Sequence, residues 1–248
     1  MDFAVFVRSI LVIAEKNIRI YYWRGPVVVF GLLFPFLMFF TYFIGRSLDL
    51  VAFFPGFLGM MLFFTSSSVG PLVIPWEKRE KTYERLLAFP VLLESIILGD
   101  IVSGMIFGLL ITGVVLAASM ALLHLPVASV PALLAASLLG SVAFAALGTL
   151  FASMATDVPS NVMMLSSLVR LPLIFVSGIF IPISQLTGWE FVLTSLSPLT
   201  YLVDLFHAAL TGDGVYPPAV DALVLIAVIV IFILLARTLQ ERNLVKGL

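Results

Sequence analysis

"PWEKREKTYERLLAFP", residues 75–90, gathers seven charged side chains into sixteen positions of a 248-residue chain that is 11% charged and 62% hydrophobic. The run before it, residues 50–74, carries no charge, and the run after it, residues 95–123, carries only Asp100. Each run exceeds the roughly 20 apolar residues that a helix needs to cross a bilayer. The ribbon is therefore the connection between two spans, and the mean hydropathy of +1.20 says that the rest of the chain is of the same kind.

Working outward, six segments qualify as spans: Pro26–Ile44, Leu50–Ile74, Ser95–Leu123, Pro131–Ala155, Asn161–Pro182 and Ala219–Ala236. All are predicted to be helices, because a barrel would show short alternating segments instead. No repeat period, low-complexity tract or interdomain linker interrupts them. The fold expected is an all-α polytopic membrane protein, a single domain over residues 1–248 with six transmembrane helices.

Thirteen Lys and Arg residues orient it. Four precede span one, four lie in the ribbon and three follow span six; Arg46 and Arg170 stand alone. The positive-inside rule places both termini and the ribbon in the cytoplasm of a chain in the plasma (cell inner) membrane. The basic start lacks the pattern of a cleaved secretory signal. The segment 183–218 has no Lys or Arg but carries Glu190, Asp204 and Asp213, as an external segment should. Within it, "WEFVLTSL" and "LTYLVDLFHAALTG" are apolar yet too short to span, which suits external re-entrant helices or, equally, a lid packed on the bundle.

At the other extreme, residues 1–25 read as an amphipathic interfacial helix. Phe3, Phe6, Val7, Ile10, Leu11, Ala14, Ile18 and Tyr21 recur at helical spacing, while Arg8, Glu15 and Arg19 share another face, with Glu15 and Arg19 an i, i+4 pair. Tyr21, Tyr22 and Trp23 would sit at headgroup depth.

The ribbon itself is expected to be one short helix, residues 76–90, opened by Pro75 and closed by Pro90. Glu77 and Lys81 would support it as an i, i+4 pair. Glu80 with Glu84 and Lys81 with Arg85 would repel at the same spacing, so partner charges from elsewhere are implied. Four basic and three acidic groups leave only about +1, which argues for a protein partner over anionic lipid alone.

Read residue by residue, Glu77, Lys78, Thr82, Tyr83, Glu84, Leu86, Leu87, Ala88 and Pro90 resemble the first cytoplasmic loop of the membrane subunits of ABC-2 type ABC transporters. Arg79 stands where that loop usually has a second acid and Lys81 where it has glycine. A second match, Ser177, Gly178, Pro182, Pro198, Leu199, Thr200, Tyr201 and Asp204, falls in order on the predicted outer side. His207 and Asp100 occupy positions where that family often has Arg and Lys. The resemblance implies that the ribbon is a coupling helix seated on an ATPase subunit through Glu77, Lys78, Arg79, Glu80, Lys81, Thr82, Glu84 and Arg85. It also implies two ABC ATPase copies and a second permease subunit, identical or homologous, in one membrane-embedded exporter.

The chain supplies no nucleotide site of the P-loop type, since none of Lys16, Lys78, Lys81 or Lys246 follows a glycine. Cofactors on this chain are expected to be none, with ATP and Mg on the partner ATPase. Without cysteine there is no thiolate chemistry. His124 and His207 lack the neighbours of a catalytic triad, and Asp204 with His207 would be half a metal site at most. A near-neutral net charge of -1 argues against nucleic acid. An ion-gradient-driven secondary transporter or channel is the alternative, weakened by a shortage of intramembrane acids and repeats; a membrane enzyme would need a cluster that is missing.

Within the spans, Arg170 lies about nine residues into span five, and a charge there must face protein or water. Asp100, near the same side of span three, is its expected ion-pair partner, with a structural role. Gly104 and Gly108, and Ser137, Ser141, Ala145, Thr149 and Ser153 at four-residue spacing, suit close helix packing. Phe34, Phe36, Phe39, Phe40, Phe63, Phe64, Met60, Met61, Met163 and Met164 are candidate walls for an apolar cargo, or simply packing.

Overall fold

The computed structural model describes residues 3–22, 24–44, 50–89, 91–154 and 158–245. Trp23, Arg46, Pro90, Ala155 and Lys246, and the side chain of Phe39, lie outside the described residues. Among those described, the chain is helical with no strand. Helix α1 (Phe3–Tyr21) is followed by α2 (Gly25–Val28), a π-helical turn (Val29–Leu33) and α3 (Phe34–Phe43), then α4 (Leu50–Ser67), α5 (Gly70–Arg79) and α6 (Thr82–Ala88). Beyond these come α7 (Leu93–Leu123), α8 (Val130–Ala152), α9 (Pro159–Val176), α10 (Trp189–Ser195), α11 (Pro198–Leu210) and α12 (Pro218–Val245).

Five helical runs are long and apolar enough to cross a membrane: residues 51–79, which join α4 to α5, and α7, α8, α9 and α12. The pair α10 and α11 meets at 90° and supplies a sixth if counted as one broken span. This geometry keeps both short helices of the expected external segment at one end of the bundle. The first expected span, Pro26–Ile44, is helical from Gly25 to Phe43, but the π-helical turn divides it into shorter pieces.

The 51–79 run is the axis of the molecule, its central stretch enclosed by the others while Ala52 and Arg79 near its ends are exposed. It contacts α7, α8 and α11 along α4, and α8 and α9 along α5. Its half toward α10 and α11 is a packed aromatic core in which Phe63 meets Phe144 edge-on at 4.7 Å and Phe64 meets Phe34 at 4.9 Å. Met60, Met61 and Phe63 are fully buried there, so these three candidate cargo walls are core residues.

Small residues set how closely the enclosing helices approach. A methyl group on Gly104 would strike Ser66 O and the side chain of Ala145, and one on Gly108 would strike the Ser66 hydroxyl. The four-residue stripes thus serve packing within the chain. Gly70 makes the tightest approach to another backbone: a Cβ there would lie 2.4 Å from the backbone carbon of Gly148. That contact is between two backbones, which cannot yield by rotating a side chain.

The expected single helix over residues 76–90 is instead two. Pro75 lies inside α5 rather than at a helix start, α5 ends at Arg79, and the chain turns through Glu80 and Lys81 before α6 begins. Lys81 adopts φ 55° and ψ 26°, the left-handed region that favours glycine. The turn has a physical reason legible in the charges. It removes Glu80–Glu84 and Lys81–Arg85 from the i, i+4 register in which each would repel.

Two outcomes follow for the solubilised chain. Gly70→Ala should lose about 1–3 kcal/mol or more through overpacking against α8, whereas Gly113→Ala, with open space around the glycine, should melt like the wild type. Lys81→Gly should raise the melting temperature, relieving a left-handed cost of about 1 kcal/mol; equal melting of Lys81→Gly and wild type would show that no such cost is present.

Candidate functional site

At one end of the bundle, α1 lies across the start of α7 and reaches the charged turn. Its face of Ile13, Ala14, Asn17 and Tyr21 is buried, while Phe3, Val7 and Leu11 point outward. Gly99 of α7 permits the crossing, since a Cβ there would meet Ile13 at 2.6 Å. Glu15 and Arg19 form the expected i, i+4 pair at 2.6 Å on the exposed face, where such pairs contribute little.

The charged turn is fastened to α1 and to the chain just after it. Lys16 of α1 is ion-paired with Glu77, so Glu77 is not the partner of Lys81 that the single-helix reading required. The Tyr21 hydroxyl donates to the same Glu77 oxygen at 3.5 Å, and burial together with the Glu77 charge pushes this phenol up, keeping it a donor. Tyr21 also stacks on Trp76 with centroids 5.8 Å apart, and the Arg24 guanidinium lies 4.6 Å from the Trp76 ring centroid. The turn then closes on itself, with Lys81 N donating to Lys78 O at 3.0 Å and the Thr82 hydroxyl to Glu77 O at 3.2 Å. Tyr83 buries its ring against Ile13, Ile74 and Ile96.

These anchors divide the eight residues expected to meet a partner. Glu77 is only 4% exposed and engaged within the chain. Lys78 is half-buried, with its ammonium 6.0 Å from the Tyr83 ring centroid. Arg79, Glu80, Lys81, Thr82, Glu84 and Arg85 are all exposed. The result is a small surface of alternating charge carried on a buried footing.

The last helix is tied in at the same end. Arg237 bridges Glu94 at 3.1 Å and Glu241 at 2.8 Å, Gln240 donates to the Ser153 hydroxyl at 2.9 Å, and Asn243 donates to Ser153 O at 2.8 Å. Lys16 and Asn17, which sequence reasoning did not single out, carry most of the buried polar contact around the turn. The available signal was Asn17, a polar residue on the otherwise apolar stripe of Ile10, Ile13, Ala14 and Tyr21, with Lys16 beside it.

The structure does not bring Asp100 and Arg170 together. The Asp100 carboxylate accepts from the Asn17 amide at 2.6 Å. The Arg170 guanidinium is buried at 2% exposure, donates to Ser67 O, and lies 5.9 Å from the Phe151 ring centroid. No carboxylate among the described residues forms an ion pair with it. The reason is that Ser67 is the last residue of α4, and the carbonyl end of a helix is itself a partial negative charge that suits a cation.

At the opposite end, Asp204 of α11 accepts from the backbone N–H groups of Val215 and Tyr216, both at 2.8 Å, and so pins the loop leading to α12. Asp204, His207 and Asp213 line a cavity of about 380 Å³ between the start of α4, the segment after α9, and α11. Among the described residues no group of three or more His, Asp or Glu converges as a metal site.

Comparison with known proteins agrees with the geometry. Curated proteins gave no match to the chain. The family model for the ABC-2 type transporter matches residues 4–211, a stretch that runs from α1 through the charged turn to the end of α11. The chain belongs to the ABC-2 type transporter family.

Proposed function

We propose that this ABC-type transporter permease is the membrane subunit of an ATP-driven exporter, in which two permease subunits enclose the pathway and a separate ATPase grips the turn between α5 and α6. Family membership implies an ABC ATPase partner. The observation that carries the finer reading is the division of the charged ribbon. Its anchoring half, Trp76, Glu77 and Tyr83, is packed into the bundle, and its other half, Arg79 to Thr82 with Glu84 and Arg85, is presented outward. A solvated loop helix needs no such footing. A part that must transmit force does, because a rigid-body displacement of a partner reaches the spans only through contacts that do not give.

Mixed charge suits the role. Opposed signs on a partner surface fix register and disfavour wrong partners, and neither sign dominates enough to seek lipid headgroups. In this reading the turn and both termini face the cytoplasm of the cell membrane, ATP and Mg are held by the ATPase, and hydrolysis alternates the access of the pathway.

Helix α9 supports a second subunit. It is the least apolar of the five long spans, yet it is mostly uncovered within the chain, and it shows Ser160, Asn161 and Pro172 beside Met164, Leu168 and Phe175. Helix α12, also mostly uncovered, is the most apolar. Lipid suits α12, and protein or a water-lined pathway suits α9. Apolar and amphipathic cargo fits such a wall.

The test is recovery of the co-expressed ATPase with the purified permease. Reversing Glu80 and Glu84 together to Lys should reduce recovery by at least about tenfold, the effect of like charges set against a matched surface. Asp213→Asn, at the opposite end, should leave it unchanged. Full recovery with both reversals in place would show that the ATPase does not read this turn.

A further inference from the structure

The second span is cut by its own sequence. In an unbroken helix Ser67 O would accept from the N–H of residue 71, but residue 71 is proline and has none. Helix α4 accordingly ends at Ser67 and α5 begins at Gly70. Among the described residues, no backbone N–H outside the regular helix pattern bonds to Ser67 O, and Ser67 is fully buried. A carbonyl left bare at that depth is costly in an apolar surround. The group that meets it comes from another span: Arg170 of α9 donates to Ser67 O.

We infer that Pro71 and Arg170 form a two-part joint, in which proline removes the bond that would make α4 and α5 one rigid rod and arginine replaces it with a bond to α9. Two consequences follow. The inner piece, α5, lacks the hydrogen bond that would lock it to α4 and pivots where Gly70 meets Gly148, while α9 is tied through Arg170 to the last residue of α4. Any push received at the turn between α5 and α6 then bends the span at residues 67–70, while α9 and the aromatic core stay with α4. Arg170 is thus a positioning residue, and it explains why a full charge is kept where no carboxylate among the described residues pairs with it. The movement rests on the ATPase-driven reading above, whereas the Pro71–Arg170 dependence stands without it.

A double-mutant cycle tests the dependence on the solubilised full chain. Arg170→Met removes both a buried charge and a needed donor, so its single effect does not decide; the difference between backgrounds does. Arg170→Met should lower the melting temperature by on the order of 5 °C more when residue 71 is Pro than when it is Ala, because Pro71→Ala returns the missing N–H. Arg170→Lys, which keeps a cation and a donor, should recover part of the loss. Equal effects of Arg170→Met in both backgrounds would overturn the joint.

The movement is read by spin-label distances in the complex with its ATPase, using paired cysteines in this cysteine-free chain. Ala52, Ala88 and Ser160 are exposed label sites on α4, α6 and α9. Trapping with ATP and vanadate should change the 52–88 and 88–160 distances and leave 52–160 constant in the wild type. In Pro71→Ala/Arg170→Met the 52–88 distance should stay fixed. A wild type whose 52–88 distance ignores nucleotide, or a double variant that moves like the wild type, contradicts the inference. A permease that retains no ATPase would sink the coupling reading and the movement with it, and would leave the melting cycle to judge the joint alone.

Discussion

A backbone carbonyl inside an apolar bundle must find a donor, and proline at residue 71 takes one away from Ser67 in the most enclosed helix of the molecule. Much of the architecture answers that demand. Helix α9 brings Arg170 to the break. Helices α7 and α8 close in through Gly104, Gly108 and Gly148, each of which would strike Ser66 or Ser67 if it carried a side chain. The Ser67 and Ser68 hydroxyls turn back on their own helix, Ser67 to Phe63 O at 2.6 Å and Ser68 to Thr65 O at 3.2 Å, and so find acceptors locally.

From this knot the two ends of the second span differ in kind. Toward α10 and α11 the surroundings are aromatic and aliphatic, with packing that specifies one arrangement. Toward the charged turn they become polar, with Lys16 and Tyr21 binding α1 to Glu77 of α5, Asn17 binding α1 to Asp100 of α7, and Gln240 and Asn243 binding α12 to Ser153 at the end of α8. A transporter needs one region that holds its shape and another that receives a displacement. Here the division falls at a single peptide step within one span.

The apolar runs, the position of the charged ribbon and its mixed sign are legible from residue identities, because span length and side-chain polarity are properties of short segments. The break in the ribbon at Lys81 is not. A left-handed residue is signalled by glycine, and here lysine occupies the position; the like-charge pairs are the available hint that the helix breaks. Arg170 reads as a partner of Asp100 because carboxylates are visible in a sequence and helix ends are not. Pro71, four residues after Ser67, is the readable clue to its true acceptor. Glu77 cannot be assigned to the bundle from local sequence, since its partner Lys16 lies 61 residues away and the approach depends on how α1 crosses α7.

What touches the charged turn decides whether it is a handle for an ATPase. A single cysteine replacing Glu80, in a chain with none of its own, can carry a short cleavable crosslinker in membranes containing the assembled complex. A turn gripped by the ATPase predicts a covalent adduct with that subunit from residue 80 and none from a cysteine replacing Asp213. Adduct formation from residue 213, or a residue 80 that is labelled only by reagents outside the cell, would contradict it.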